Sequence, residues 1–185
     1  MVSRSRNIIS DRLSLTPLGM TDAAPLHSLW IEEPVRRYLW DGEVVSLKKT
    51  EEIVKTNQRL FRDSGFGIWA VRERNSDPLI GFAGYWHFRE PPSPELLFGV
   101  EPDHWNRGIA TESSRCVIRY GFEVLNFQTI EASTDVGNAA SITVLKKLGM
   151  NQQHRAVTAG LDTIFYTLHQ AEWRKGVADD SQLTE

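Results

Sequence analysis

Apolar residues recur along this chain with two different periods, and each change of period marks an element. Arg12-Leu13-Ser14-Leu15 alternates as a half-buried strand does, and Pro17 to Gly19 ends it. Thr21 then suits the N-cap of a helix that carries Leu26, Leu29 and Trp30 on one side and stops at Glu33-Pro34. Pro34 to Trp40 reads as a short turn or helix. From Ser46 to about Phe61, the residues Thr50, Ile53, Val54, Asn57, Leu60 and Phe61 make one apolar stripe at helical spacing, and Ser64-Gly65 ends it.

Three strand-like runs come next: Phe66 to Arg72, Leu79 to Phe88 and Glu95 to Val100. Asn75-Ser76-Asp77-Pro78 is the hairpin turn between the first two, and Glu90-Pro91-Pro92-Ser93-Pro94 the loop before the third. A third helix is expected from about Thr111 to Leu125, with Val117, Ile118, Phe122 and Leu125 facing inward, followed by a strand from Gln128 to Thr134. The fourth helix, Asn138 to Leu148, has full punctuation: Asn138 at the N-cap, Lys146 and Lys147 in the last turn, Gly149 just beyond. Strands near Asn151 to Val157 and Thr163 to His169 flank a turn at Ala159-Gly160, and the polar, acidic tail from Gly176 is expected to fray.

The expected order is therefore β-α-α-β-β-β-α-β-α-β-β. Strands in an unbroken run pair antiparallel, whereas the strand, helix and strand between Glu95 and Thr134 are long enough for a parallel crossover. A mixed α/β sheet covered by helices follows, as one domain over residues 1–175 with the tail 176–185 outside it.

Composition narrows the function classes. Hydrophobic residues are 41% and charged residues 24%, ordinary globular usage. Twenty-one Lys and Arg against twenty-four Asp and Glu give a net charge of −3, so no molecule-wide basic field favours nucleic acid. The longest apolar stretch, Leu79 to Trp86, is far short of the roughly twenty residues that span a bilayer. Asp11 and Arg12 interrupt the N-terminus where an export signal needs an apolar run. The single Cys116 forms no internal disulfide, and with five scattered His it makes no metal-ligand cluster. A soluble cytoplasmic protein, monomeric or homodimeric, is expected.

The chemistry lies between Glu95 and Met150. Trp105-Asn106-Arg107-Gly108-Ile109-Ala110 falls between a strand and a helix start, and Gly108 and Ala110 keep the backbone bare there. Several amide N–H groups then converge on one anion at a helix N-terminus, a place that takes a pyrophosphate without a metal. A tight turn that needs glycine for steric reasons is the plainer alternative. Gly65-Phe66-Gly67-Ile68-Trp69-Ala70 imitates a dinucleotide fingerprint, but it follows a helix and opens a strand, the reverse of the required order.

The Trp105 to Thr111 segment resembles the acetyl-CoA cradle of the GNAT N-acetyltransferases, in which Q/R-x-x-G-x-G/A holds the pyrophosphate. Trp105 stands for the usual Gln or Arg, and Ala110 takes the small position. With Thr111-Glu112 the run is similar to W-G-x-G-x-A-T-E of the ribosomal-protein N-acetyltransferase-like branch, except that Asn106 stands where that branch prefers Gly. Asn138-Ala139-Ala140-Ser141 and Val144-Leu145-Lys146-Lys147-Leu148-Gly149-Met150 are similar to the branch's N-x-x-S-x-x-V-L-x-K-L-G-F. Likeness extends through Arg12 to Leu15, Pro17-Leu18, Trp30, Val35 to Leu39 and Gly81, so it covers about residues 10–172.

The resemblance implies an acetyl-CoA-dependent N-acetyltransferase with the GNAT fold, a parallel pair at its central splay, and no metal. It implies cofactor contacts from Phe98, Gly99, Val100, Trp105, Asn106, Arg107, Gly108, Ile109, Ala110, Thr111, Asn138 and Ser141. Phe98 to Val100 would pair with the pantetheine amides, or be an ordinary core strand. Ser141 would approach the sulfur of CoA. A thiol leaves water at pH 7 with a proton deficit worth about 2 kcal/mol, much of which one hydrogen bond supplies. Otherwise Ser141 is a first-turn serine satisfied by the helix terminus. Glu95 is the candidate base that takes the amine's proton, with Glu101 and Asp103 as competitors and a solvated charge as the alternative. Arg36, Arg37, Trp40, Trp86 and His87 are candidates for the acceptor wall; the tryptophans could instead be core, and His87 a base. The acceptor implied is a primary amine, either a protein N-terminal α-amine or a small molecule such as an antibiotic, polyamine or amino acid, and a non-catalytic acyl-CoA-binding protein is the alternative.

Overall fold

The computed structural model describes residues 6–88 and 94–175. Strands β1 (Ile8–Ile9) and β2 (Leu13–Pro17) lead through a 3-10 turn at Met20–Asp22 into helices α1 (Ala23–Ile31), α2 (Glu33–Leu39) and α3 (Leu47–Ser64). Strands β3 (Ile68–Glu73), β4 (Gly81–His87) and β5 (Pro94–Val100) precede a second 3-10 turn, Pro102–His104. Then come α4 (Ile109–Glu123), β6 (Thr129–Asp135), α5 (Ala139–Lys147), β7 (Asn151–Thr158) and β8 (Leu161–His169). Residues 170–175 add a helical turn. The architecture is the expected mixed α/β type. Residues 90–93 of the proline-rich loop and the tail from 176 lie outside the described residues; Pro94 opens β5 rather than closing the loop.

The chain divides into two compact units, one running to Trp86 and including Leu97–Val117, the other comprising His87–Leu96 and the residues from Ile118. The strand order is β1-β2-β3-β4-β5 in the first and β5-β6-β8-β7 in the second, with β5 contributing to both. Pairing of β1 to β4 is antiparallel in turn, and so are the β6–β8 and β7–β8 pairs. Strands β5 and β6 are parallel, with Glu95 opposite Glu131, as the intervening helix requires.

Three differences from the periodicity have local causes. Strand β1 is two residues long, too short to show a period, and is defined by pairing Ile8 with Leu15 and Ile9 with Ser14. Thr21 is not the N-cap of α1. The 3-10 turn precedes the helix, and Asp22 reaches back instead, its Oδ2 accepting from the Gly19 N–H at 2.8 Å. Glu32 breaks the chain between α1 and α2, and Pro34 then sits in the first turn of α2, where its missing N–H is not needed.

The core of the first unit gathers Leu18, Leu26, Leu29, Trp30, Val54, Ile68, Ala70 and Phe82. Helix α3 starts at Ser46, whose Oγ accepts from the Lys49 N–H at 3.2 Å, and ends at Gly65 in the left-handed conformation. Its buried stripe is Thr50, Val54, Asn57 and Phe61. Asn57 is fully buried, and its amide is bonded to main chain: Oδ1 accepts from the Ile68 N–H at 2.6 Å and Nδ2 donates to the Ile68 carbonyl at 3.0 Å. A Cβ on Gly67 would lie 2.4 Å from Asn57 Oδ1, and one on Gly84 would lie 2.3 Å from the Gly67 carbonyl oxygen, so the approach needs both glycines.

In the second unit, β6 buries Ile130 and Ala132 alternately, whereas β8 is buried continuously from Thr163 to Tyr166 because it lies between β6 and β7. Strand β7 closes the order and is exposed at every position, with a bulge between Gln152 and His154. The ring of His154 stacks on Phe165 at 4.5 Å between centroids. Ala159 and Gly160 both have positive φ, the conformation of the tightest hairpins.

Replacing Asn57 by Ala leaves the buried N–H of Ile68 without its acceptor, at roughly 1–3 kcal/mol, while the Ile68 carbonyl keeps the Leu18 N–H at 3.1 Å. Urea denaturation should show a loss in that range with an unchanged m-value, and a variant as stable as the parent would show that the amide is dispensable.

Candidate active site

At the end of β5 the chain turns through Pro102–His104 and reaches Trp105, whose indole Nε1 donates to the Val100 carbonyl at 2.7 Å. The side chain thus caps the strand end while its ring remains 44% exposed. Asn106 and Gly108 both adopt positive φ, 60° and 77°. Helix α4 begins at Ile109, two residues ahead of the expected Thr111, and the Glu112 N–H donates to the Gly108 carbonyl at 2.9 Å to close a turn at its start. The amides of Ile109, Ala110 and Thr111 come before that bond, among the N–H groups a helix start leaves without intrahelical partners. A Cβ on Gly108 would meet only Arg12 Nη2, at 3.5 Å, so what glycine supplies here is the left-handed backbone and an open face. On this geometry the segment fits an anion such as a pyrophosphate. Upstream, Val100 is buried and Phe98 half-buried, and a Cβ on Gly99 would lie 2.5 Å from the Phe82 ring, so Gly99 has a packing reason to be bare.

Two residues that the spacing gave no reason to pair complete this end of the first unit. Arg12, on the approach to β2, donates through Nε to Glu112 Oε2 at 2.7 Å and through Nη1 to the Arg107 carbonyl at 3.1 Å. Ser10 Oγ donates to Glu112 Oε1 at 2.7 Å, and the Arg12 N–H to the same oxygen at 3.3 Å. Burial pushes the Glu112 carboxyl up, but the hydrogen bonds from Ser10 and Arg12 and the adjacent guanidinium outweigh it and hold the group below its ordinary value.

In the second unit Glu95 is 1% exposed, and its Oε2 accepts from Ser133 Oγ at 3.0 Å. Asn138 caps α5 as expected, its Oδ1 accepting from the Ser141 N–H at 3.1 Å, which leaves the half-buried Ser141 hydroxyl on the first turn. His87 ends β4, half-buried.

The remaining acceptor-wall candidates belong to the first unit. Trp40 and Trp86 are partly buried against its core, with Trp40 edge-on to Trp30 at 5.2 Å between centroids. Arg36 donates to the Gly42 carbonyl and so ties down the loop after α2, while the exposed Arg37 lies over the Tyr38 ring. Glu101 lines a cavity of about 600 Å³ with Thr21, Asp22, Arg72 and Asp77, and its carboxylate lies 3.4 Å from His104 Nδ1. Partial burial, then the charges of Glu101 and Asp103, raise the carboxyl of Glu32. Glu101 and Asp103 therefore form part of a negative patch.

A family model described as an Acetyltransferase (GNAT) domain matches residues 12–151. The chain belongs to the GNAT acetyltransferases. It is an acetyl-CoA-dependent N-acetyltransferase. The acetyltransferase is 26% identical over 145 residues to YoaA of Bacillus subtilis, an uncharacterized N-acetyltransferase, covering 78% of this chain and 82% of that one. Its fold is similar to that of an acetyltransferase from Agrobacterium tumefaciens, with a TM-score of 0.77 at 23% identity over 88% of this chain and 94% of the other. It is also similar to that of the ribosomal-protein-S5-alanine acetyltransferase from Vibrio fischeri, with a TM-score of 0.75 at 16% identity over 90% and 98%. Among the described residues of the acetyltransferase, no helix is long and apolar enough to cross a membrane.

The Arg12–Glu112 pair went unread because the residues stand 100 positions apart. Only the acidic residue in the first turn of a helix gave a local signal. Because its folded value is depressed, Glu112 adds stability that is fully present above its ordinary value of 4.5 and is lost as pH falls through the folded value. Glu112→Gln should therefore be less stable than the parent at neutral pH, with the gap narrowing in acid. Denaturation at a series of pH values checks this, and a gap independent of pH would place the ionised carboxylate outside the stabilisation.

Proposed function

We propose that the acetyltransferase acetylates a primary amine, with the α-amine of a protein N-terminus as the acceptor class, by direct attack of the amine on the thioester. The observation that carries the cofactor side is the pair of left-handed residues, Asn106 and Gly108, immediately ahead of the α4 N-terminus. Backbone amides from Gly108 to Thr111 would hold the pyrophosphate, flanked by Trp105, Asn106 and Arg107, and the β5 residues Phe98, Gly99 and Val100 would lie along the pantetheine arm. Asn138 and Ser141 would serve its thiol end, with the Ser141 hydroxyl donating to the departing sulfur. Cys116 is 4% exposed within α4, which supports a route without an enzyme-bound acyl group. On the acceptor side stand Arg36, Trp40, Trp86 and His87. The choice of a protein N-terminus is supported by the ribosomal-branch motifs around Trp105 and Asn138 and by the likeness to the Vibrio fischeri enzyme.

The test is an acceptor panel of N-terminal peptides, polyamines, aminoglycosides and free amino acids, read by mass spectrometry, with acetyl-CoA binding measured by calorimetry. Acetylated peptides are the expected result, and products confined to small amines would move the acceptor class. Gly108→Glu should abolish acetyl-CoA binding, since it adds a side chain in a left-handed position and a negative charge beside the phosphates. An unchanged dissociation constant would remove the cradle assignment.

We further propose Glu95 as the proton acceptor, oriented by the Ser133 hydroxyl and reaching the amine through water, because the carboxylate is buried. An α-amine is only about a tenth neutral at pH 7, so Glu95→Gln should lower kcat/KM most at low pH and recover part of the deficit as pH rises. A deficit constant from about pH 6 to 9 would argue for positioning instead of proton transfer.

A further inference from the structure

Gly108 lies between two peptide planes, and in each plane the C=O and N–H point in opposite directions because the unit is planar and trans. The plane joining Arg107 to Gly108 carries the Gly108 N–H, one of the donors proposed for the cradle. Its carbonyl accepts from Arg12 Nη1 at 3.1 Å. The next plane carries the Ile109 N–H, and its carbonyl accepts from the Glu112 N–H at 2.9 Å. Arg12 and Glu112 are themselves joined, through Nε at 2.7 Å and Nη2 at 2.5 Å. One pair of residues therefore holds the carbonyl of each plane and leaves each amide to the opposite side.

Such restraint has a purpose at this point in the chain. Glycine at φ 77° has the freest backbone of any residue. Rotation of the 107–108 plane would put a carbonyl oxygen where the N–H had stood, and an acceptor would then face the phosphates. We propose that Arg12 is a positioning residue for the cofactor cradle: by holding the Arg107 carbonyl it fixes the 107–108 peptide plane, so that the Gly108 N–H faces the anion. This rests on the reading of the loop as the acetyl-CoA cradle. Glu112 is the anchor, and Ser10 orients its carboxylate. With its side chain 56% exposed, Arg12 adds little stability through the ion pair itself, and its value lies in the direction it imposes.

The test compares Arg12→Gln and Arg12→Lys with the parent, using CoA binding by calorimetry, steady-state kinetics with acetyl-CoA and with S-acetylpantetheine, which lacks the pyrophosphate, and the Gly108 amide resonance in the ligand-free protein. Both variants should weaken CoA binding about tenfold to a hundredfold, the worth of one hydrogen bond to a charged group. KM for acetyl-CoA should rise in step while kcat at saturation holds. The Gly108 amide resonance should shift or broaden, and kcat/KM for S-acetylpantetheine should stay at the parent level. Glu112→Gln, which keeps Arg12 but loosens its anchor, should repeat the pattern and serves if an Arg12 variant fails to fold. Restoration of parent affinity by Arg12→Lys would overturn the proposal in favour of simple charge attraction. An equal loss with S-acetylpantetheine would overturn it in favour of a general structural role. Parent-like affinity in Arg12→Gln would overturn it outright while leaving the cradle standing, whereas a parent chain without affinity for CoA would remove the cradle reading itself.

Discussion

The first unit is organised by a buried side-chain amide that does the work of a neighbouring strand. Asn57 gives the Ile68 N–H the acceptor that a ladder partner would have supplied and adds a second donor to the Ile68 carbonyl, which also accepts from the Leu18 N–H at 3.1 Å, so α3 is fastened to the first residue of β3. That bond forces the backbone at Gly67 to pass beneath the amide oxygen, and the β4 backbone at Gly84 then passes as closely over Gly67. Register follows from these approaches, since Ile68 stands opposite Gly84 and Val71 opposite Gly81. Strand β5 leaves this layer at Val100, where the Trp105 indole catches its carbonyl and the chain turns toward α4. The position of the cradle is thus inherited, step by step, from a packing decision made at residue 57.

Much of this was legible in the sequence, and the parts that were not share a cause. Helical stripes and capping residues are local: the Thr50 to Phe61 stripe, Asn138 with Ser141 and Gly65 after Ser64 all fell where spacing put them. The parallel pairing of β5 with β6 followed from the length of the connection. Failures came where a distant partner decided a local matter. Asp22 displaced Thr21 as the residue that serves the turn before α1, and it also pairs with Arg72, fifty positions along the chain. Strand β1 exists only through its pairing with β2. Helix α4 starts early because Gly108, in a left-handed conformation that no periodicity reveals, already supplies the first carbonyl.

The candidate site shows the same division. The glycine-bearing turn and the capped serine could be read as motifs, because their chemistry belongs to consecutive backbone groups. The Trp105 indole, the Ser133 hydroxyl on Glu95 and the Ser10–Arg12–Glu112 cluster are tertiary facts, each joining a recognisable residue to one that spacing left unremarkable. Substitution of the usual Gln or Arg by Trp105 is intelligible in the same terms. A planar donor N–H at that position is committed to the strand end, and what the loop offers an anion is main chain.

Strand β7 has a consequence for how the protein behaves when crowded. A terminal strand with both faces exposed invites another chain to extend the sheet through its free N–H and C=O groups. Here the outer strand runs Asn151-Gln152-Gln153-His154-Arg155, the bulge breaks the even spacing of those groups, and Arg155 is tied to Asp162 across the hairpin. An incoming strand would find no flat ladder long enough to zip along and no apolar row to bury. Resistance to fibril-like stacking is therefore written into a strand none of whose own positions is buried.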